Sequence, residues 1–583
     1  MSQSNLVYLL VISTGVLLLY KLSVRLQLSK AKHPSLRGHS KWSRRVARFI
    51  PFFSYDAERF YNSDGAPPKV VAQRRQAIKQ LQGHIESCCP QTLSHSKNLE
   101  NSISDVRFTS HYRIPFPYRN QLAPCFTLSS IAQETKGLKV CDLDGNWRYD
   151  LSGSYGVNVF GYDFYKECME EGIAQTKQLG PVLGAYHPLI SENVAMIKAV
   201  SGLDEVSFHM SGTEAVMQAV RLARYHTGKT HLVRFCGAYH GWWDGVQPGI
   251  GNTRVTHDVY TLADYSEHSL RVLRSRKDIA CVLINPLQAF HPNADAPSDA
   301  ALVASDRSTH FDKPRYVAWL KQLRQVCSEH KIVLIFDEVF TGFRLSYRGA
   351  QGYYGIQADM VTYGKTLGGG LPIGVLTGTH ALMKRFQDDR PVNVSFARGT
   401  FNSHPYVMGA MNVFLKRIQG PEIQAQYAQS EALWNQRVEH FNRRLNQENL
   451  PIQISNIHSI LSVIYTLPSR YNWMLQFYLK NNGIELSWTG TGRLIMSFNF
   501  TDEDFAQVID CFINAAKQMQ EDQWWWQSPA LTNKRIKRQF LMDMLGTKYP
   551  IIATLLPKPL SVSTVSDATG LPPSEESNLT KAG

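Results

Sequence analysis

The chain has 583 residues, too many for one simple core, so two or more packed regions are expected. Hydrophobic residues at 43% and charged residues at 19% exclude a disordered chain. The net charge of +14 is unevenly spread: nine basic residues lie between Lys21 and Arg48, and no Asp or Glu occurs before Asp56.

Residues Leu6 to Tyr20 are almost wholly apolar, and Leu22 and Val24 extend the stretch past Lys21. This is slightly short of the ~20 residues that cross a bilayer as a helix, and Lys21 can snorkel. A cleaved signal peptide wants a positive charge before the apolar run, yet Met1 to Asn5 carry no charged side chain and the basic residues follow. An uncleaved single-pass anchor is therefore expected, with the bulk of the protein on the cytoplasmic side. The basic run directly behind it points to membrane lipid and not to nucleic acid. Residues 51–110 are polar and mixed, with a helix expected around Val71 to Ile85, and read as a connector. Asp144-Gly145 then supplies a hairpin turn between Val140-Cys141-Asp142-Leu143 and Trp147-Arg148-Tyr149.

From about 170 to 380, helical patterns alternate with short, solidly apolar runs: His231 to Phe235, Ala280 to Ile284 and Ile332 to Phe336. Such runs between helices mark strands buried on both faces, hence a largely parallel α/β sheet. From about 381 to 520 the pattern is mixed α and β again. The tail carries Trp524-Trp525-Trp526, a basic stretch from Lys534 to Arg538 and a Pro/Ser-rich end expected to be partly disordered. Tryptophan and basic residues favour lipid headgroups, so this tail is expected against the bilayer. The nine cysteines are scattered without a CxxC pair, which reads as free thiols in a reducing compartment, with no metal site.

Four short segments carry chemistry. Asp337 follows the apolar run Ile332 to Phe336, at the strand end where open α/β sheets place ligands. A carboxylate there can hold the proton on a cationic ring nitrogen, although a helix cap has the same appearance. Lys365 stands 28 residues later, between a second apolar strand and the triple glycine Gly368-Gly369-Gly370. A lysine desolvated in such a place has a lowered pKa and a free amine able to form a Schiff base. Ser211-Gly212-Thr213 opens a helix whose apolar residues Val216, Ala219, Val220 and Ala223 recur at helical spacing, and a helix N-terminus binds phosphate. Tyr239, in Tyr239-His240-Gly241, offers an aromatic face for stacking on a flat ring. A Schiff-base lysine, a ring-nitrogen carboxylate, a phosphate cradle and a stacking ring are together what pyridoxal phosphate requires.

Over roughly 115 to 515 the chain resembles the class III aminotransferases, members of the fold-type-I pyridoxal-phosphate enzymes. The residues that carry the likeness are Asp337-Glu338-Val339-Phe340-Thr341-Gly342-Phe343-Arg344, Gly349-Ala350-Gln351, Tyr353-Tyr354-Gly355, Tyr363-Gly364-Lys365 and Gly399-Thr400-Phe401. It is similar above all to the glutamate-1-semialdehyde aminomutase branch and to aminotransferase domains of polyketide assembly lines. The resemblance implies Lys365 as the Schiff-base lysine and Asp337 as the pyridinium partner, with Gly212 and Thr213, and Ser211 beside them, at the phosphate. It places Tyr239 on one ring face and Val339 on the other, and makes Thr400 a phosphate contact for the neighbouring subunit of a homodimer with shared active sites. Arg119 lies near where the aminomutase has a carboxylate-binding arginine; a surface arginine fits the sequence as well.

The sequence also departs from the family. Asn285-Pro286 replaces the usual Glu-Pro, Phe340 stands where many relatives have Gln, and the segment from His291 to Arg315 resembles an added active-site loop. Thr489 to Ser497 contains no Glu where the aminomutase carries one near its substrate, which argues against mutase activity. The fold expected is α/β of fold type I: 1–50 anchor and basic flank, 51–110 connector, 111–170 first part of a smaller α/β domain, 171–380 large cofactor domain with a mixed, mostly parallel sheet, 381–520 C-terminal part of the smaller domain, 521–583 tail. The reaction expected is transfer of an amino group from a donor to an aldehyde or ketone acceptor, of long-chain type if it lies in the membrane. The competing readings are an aminomutase and a catalytically silent membrane-bound scaffold.

Overall fold

The computed structural model describes residues 3–33, 39–122, 126, 131–247, 250–254, 256–287, 312–486 and 493–549. The chain begins with α1 (Gln3–Lys30), within which Tyr8–Lys30 is long and apolar enough to cross a membrane and is exposed to solvent. The apolar span thus runs past Lys21, as Leu22 and Val24 predict, and on to Lys30. Its C-terminal end is docked: Leu28 packs against the large core, Ala31 is fully buried, and the Ala31 carbonyl accepts a hydrogen bond from the Ala263 amide at 2.8 Å. The short helix α2 (Ser40–Ala47) follows.

Residues 51–110 hold the helix expected around Val71 to Ile85, yet they are packed into a core where a connector was expected. They form α3 (Ala57–Asn62), α4 (Pro68–Cys88), α5 (Pro90–Ser102) and α6 (Ser104–Tyr112). The Asp56 carboxylate caps α3 by accepting from the amides of Glu58 and Arg59, and Pro68 opens α4, where its missing N–H costs nothing. Phe53, Tyr55, Phe60, Ile78 and Leu81 are buried in one core with Trp434, Phe441 and Phe512 from the C-terminal third. The reason is geometric: a few large apolar residues one helical turn apart bury a whole helix face despite a polar average.

The same core holds Trp524 and Trp525, which corrects the expectation that the tryptophan run rests on a bilayer. The Trp524 ring lies 5.1 Å from Tyr471, and its indole N–H donates to the Tyr478 hydroxyl at 2.7 Å. A buried indole satisfied on both its apolar and polar sides has no surplus for the membrane. Arg74 lies over both Trp524 and Tyr471 and forms a fully buried ion pair with Asp64 at 2.7 Å. Arg74→Ala strands the Asp64 carboxylate, so the free energy of unfolding should fall by about 3–5 kcal/mol. Denaturant unfolding of the variant checks this.

Beyond these helices, β1 (Ala132–Lys136), β2 (Lys139–Asp142) and β3 (Trp147–Asp150) form an antiparallel meander, with the expected turn at Asp144-Gly145. Gly145 has φ +81°, a backbone region closed to most side chains. The C-terminal strand Ile484–Glu485 joins β3 in parallel, so both chain ends build the smaller domain. The helix Asn533–Lys548 packs on it through Phe540, and residues 550–583 lie outside the described residues.

The large domain is a seven-stranded sheet made of β4 (Glu205–His209), β5 (His231–Phe235), β6 (Val259–Leu262), β7 (Ile279–Ile284), β8 (Val333–Asp337), β9 (Met360–Gly364) and β10 (Gly374–Gly378), in the order β4-β10-β9-β8-β7-β5-β6. β10 runs opposite to the other six strands. Val282, Ile284, Leu334 and Phe336 enter the core on one face; Cys281, Leu283, Val333 and Ile335 enter that on the other. This alternation explains the solidly apolar runs: both faces are covered, so neither set of positions can be polar. Among the described residues none of the eight cysteines is joined in a disulfide; Cys125 lies outside them.

Candidate active site

The parallel strands end along one edge of the sheet, and a cavity of about 380 Å³ opens there. At the end of β8, every residue of which is buried, stands Asp337. One carboxylate oxygen accepts from the Thr362 hydroxyl on β9 and from the Val339 amide, both at 3.1 Å. The other lies 2.7 Å from His240 Nδ1, and since a carboxylate only accepts, the imidazole donates. His240 is buried, and among the described residues its Nε2 has no partner. Three donors therefore fix the carboxylate in one orientation.

Lys365 follows β9 directly and has φ +48°, rare for a side chain other than glycine. Such strain persists only where the surroundings over-determine it, and it concentrates at functional sites. Burial pulls the Lys365 ammonium below its ordinary value; the Asp337 charge opposes this, and the Arg344 charge adds to it. The amine is thereby prepared to act as a nucleophile and a base.

Ser211 caps the helix Gly212–Thr227, accepting from the Glu214 amide at 3.3 Å, while the Glu214 carboxylate reaches back to the Met210 amide at 2.9 Å. The first N–H groups of a helix have no acceptor within it, so those of Gly212 and Thr213 face the cavity rim ready for an anion. Two glycines permit the fit: a Cβ on Gly374 would meet the Ser211 carbonyl at 1.9 Å, and one on Gly212 would meet Val339 Cγ1 at 2.7 Å.

The cavity is lined by Ser211, Gly212, Thr213, Tyr239, Asp337, Val339 and Lys365, so the structure brings together all of these residues singled out from the sequence. It does not bring Arg119 there. Arg119 donates from Nε to the Ile114 carbonyl at 2.8 Å, beside Tyr118 in the smaller domain's core. Thr400 is exposed on the surface and is not part of the cavity wall of its own chain; the neighbouring Gly399 lies against Glu214 at the helix N-terminus.

Sequence reasoning passed over two neighbours: Arg493, and His240 as a partner of Asp337. Phe340 lines the cavity, and two guanidinium groups lie over its ring, Arg344 at 5.7 Å and Arg493 at 5.6 Å. Arg344 is held by the Met496 and Asn158 carbonyls at 2.7 and 2.9 Å. Arg493 Nε is buried with no partner among the described residues, and burial pulls the group down to about 9. A lone Arg before Leu494-Ile495-Met496 carries no sequence signal of this. Asn285 also lines the cavity. Residues 288–311, which hold most of the expected added loop, and 487–492, which hold the start of the Thr489 to Ser497 segment, lie outside the described residues.

The family model described as Aminotransferase class-III matches residues 125–516. Glutamate-1-semialdehyde 2,1-aminomutase of Caldicellulosiruptor saccharolyticus is 29% identical over 419 residues, covering 67% of this chain and 91% of the relative. The enzyme of that name from Nitratidesulfovibrio vulgaris is 30% identical over 391 residues, covering 64% and 89%. Among solved structures, a transaminase with PLP bound has 25% identity and a TM-score of 0.57, over 71% of this chain and 94% of that one. A glutamate-1-semialdehyde aminomutase of Pseudomonas aeruginosa has 19% identity and a TM-score of 0.61, over 77% and 99%. The cavity fits pyridoxal phosphate: Tyr239, Val339 and Lys365 line it, and a helix N-terminus and a buried, oriented carboxylate stand on its wall.

Proposed function

The chain belongs to the class-III aminotransferase family, with pyridoxal phosphate as its cofactor, and from this premise we propose that it is a transaminase acting at a membrane. The observation that carries the catalytic reading is the meeting of Lys365 and the triply held Asp337 at one cavity. Pyridoxal phosphate bound there supplies a sink for the electrons released at the substrate carbon. Asp337 keeps the proton on the ring nitrogen. The Lys365 amine would carry the cofactor, and its Nζ would move a proton at the substrate carbon. Gly212 and Thr213, with Ser211, hold the phosphate; Tyr239 and Val339 take the two ring faces. Thr400 completes the phosphate site of a second copy in a homodimer, and a fully active monomer contradicts that assignment. Arg493, a cation with its Nε unpartnered beside Phe340, takes the carboxylate of the amino donor.

His240 touches Asp337 and not the reacting atoms, so it is a positioning residue. A hydrogen bond to a charged group is worth about 1.5–3 kcal/mol. If it is made most fully in the transition state, His240→Ala lowers kcat by about 10- to 100-fold with little change in KM. Steady-state kinetics on the variant reads this directly.

The acceptor proposed is an aldehyde or ketone on a long apolar chain. α1 supports this, because its docked end meets Ala263, the residue after β6, on the edge of the sheet where the cavity opens. A carbonyl on an acyl chain gains ~0.8 kcal/mol per buried CH₂ on entering a bilayer, so a tethered cytoplasmic domain meets it concentrated. Enzyme treated with an amino donor and then freed of it, offered a panel of short and long carbonyl compounds in vesicles, should aminate the long ones. Preference for short, charged acceptors under every condition contradicts the reading. A second reading, internal transfer within one substrate, has one observation behind it: the relatives at about 30% identity are named aminomutases. Product formed with no loss of amino groups to a separate acceptor would favour it.

A further inference from the structure

We propose that α2, the stretch 49–52 and the helix Asn533–Lys548 form one basic and aromatic face that lies flat on an anionic lipid bilayer. The proposal rests on the reading of α1 as a membrane span and adds a surface to it. A loosely tethered domain would show no preferred side to the membrane, but α1 is not loose. Leu28 and Ala31 are packed into the large domain, and α2 is fastened in turn by Arg44, which donates to the Arg254 carbonyl at 3.1 Å. The direction in which α1 leaves the body therefore fixes which surface the bilayer meets.

The segments that follow α1 in the chain have the composition of a lipid-facing surface. α2 contains no acidic residue, and its Trp42 is 59% exposed with Arg45 over the ring at 5.3 Å. Directly after it Phe49 and Phe52 are 63% and 67% exposed. Large apolar side chains left in water so close to a membrane span, beside arginines, match the headgroup layer, where aromatic rings and basic groups are both favoured.

The C-terminal helix extends the face without any change of sign. Phe53 turns inward and meets Phe540 at 5.7 Å, and the Tyr55 hydroxyl donates to Asp543 at 2.7 Å, which sets the helix Asn533–Lys548 alongside the exposed phenylalanines. Asp543 is the helix's one acidic residue, and it is turned in toward Tyr55, Arg59 and Arg470. Outward stand Arg535, Arg538 and Leu541. Two separate segments thus present basic and apolar groups, which suits an anionic lipid surface; the exposed aliphatic Leu541 and the apolar span of α1 favour lipid over a nucleic acid.

The test uses the full-length chain reconstituted in phosphatidylcholine vesicles, with and without a third of phosphatidylserine. Phe52→Cys and Leu541→Cys each carry a polarity-sensitive dye, with Val392→Cys, at a position 94% exposed, and the labelled unsubstituted chain as references. A blue shift at positions 52 and 541 that grows with phosphatidylserine, falls with salt and is absent at 392 is the expected result. Arg535→Glu/Arg538→Glu should abolish the phosphatidylserine dependence at 541. If the chain floats with vesicles but the two dyes respond like the reference, the face is wrong and the span survives. If the chain does not float with vesicles at all, both fall. A response to single-stranded RNA in place of lipid overturns the proposal as well.

Discussion

Lys365→Ala is expected to abolish turnover, a fall of at least about 10⁴-fold, because one group is lost from both covalent attachment and proton transfer. The fold should not suffer. The native lysine holds φ +48° and buries an amine whose charged form the site disfavours, so its removal relieves the cost of burial. The variant's unfolding midpoint without cofactor should therefore equal or exceed that of the parent. Retention of full turnover would overturn the mechanism; a collapse of stability would instead assign Lys365 a structural role.

Asp337→Ala is expected to slow proton removal from the amino donor by about 10²- to 10³-fold, the usual loss when a preorganised electrostatic partner is taken away. Cofactor binding should persist in part, since the helix N-terminus and Lys365 remain. The same substitution leaves His240 Nδ1 without its acceptor in a buried place, so a loss of about 1–3 kcal/mol in stability should accompany it. Asp337→Asn separates the effects: it removes the charge and fills the same space, but its single carbonyl oxygen keeps an acceptor either for Thr362 and Val339 or for His240, not for both. Isotope exchange at the donor's α-carbon measures the step, and exchange at the parent rate in both variants would contradict the ring-nitrogen role.

Much of this architecture was legible in the residues themselves. The run His231 to Phe235 forms β5 as expected, and the runs ending at Ile284 and Phe336 lie in β7 and β8, because burial on both faces leaves an unmistakable apolar string. Lys365, Asp337, Ser211, Gly212 and Thr213 line one cavity because each sits at a strand end or helix start, positions that local sequence marks. His240 was not legible as a partner of Asp337: its contact spans 97 residues and depends on how β5 lies against β7 and β8. Arg493 was hidden for the same reason, since what distinguishes it from a surface arginine is the ring of Phe340 from another element. The tryptophan run at 524–526 misled because aromatic composition serves a headgroup layer and a protein core equally; only Arg74, Tyr471 and Tyr478 decide between them. The stretch 51–110 misled in the opposite direction. Its average polarity belongs to the outer faces of helices whose inner faces carry Phe60, Ile78 and Leu81.

The assignment of the cofactor to Lys365 is tested most directly by borohydride reduction of the full-length holoenzyme followed by peptide mapping. One pyridoxyl group per chain is expected, on the peptide containing Tyr363-Gly364-Lys365-Thr366 and on Lys365 itself. A label on any other lysine, or none on a chain that still turns over, would contradict it.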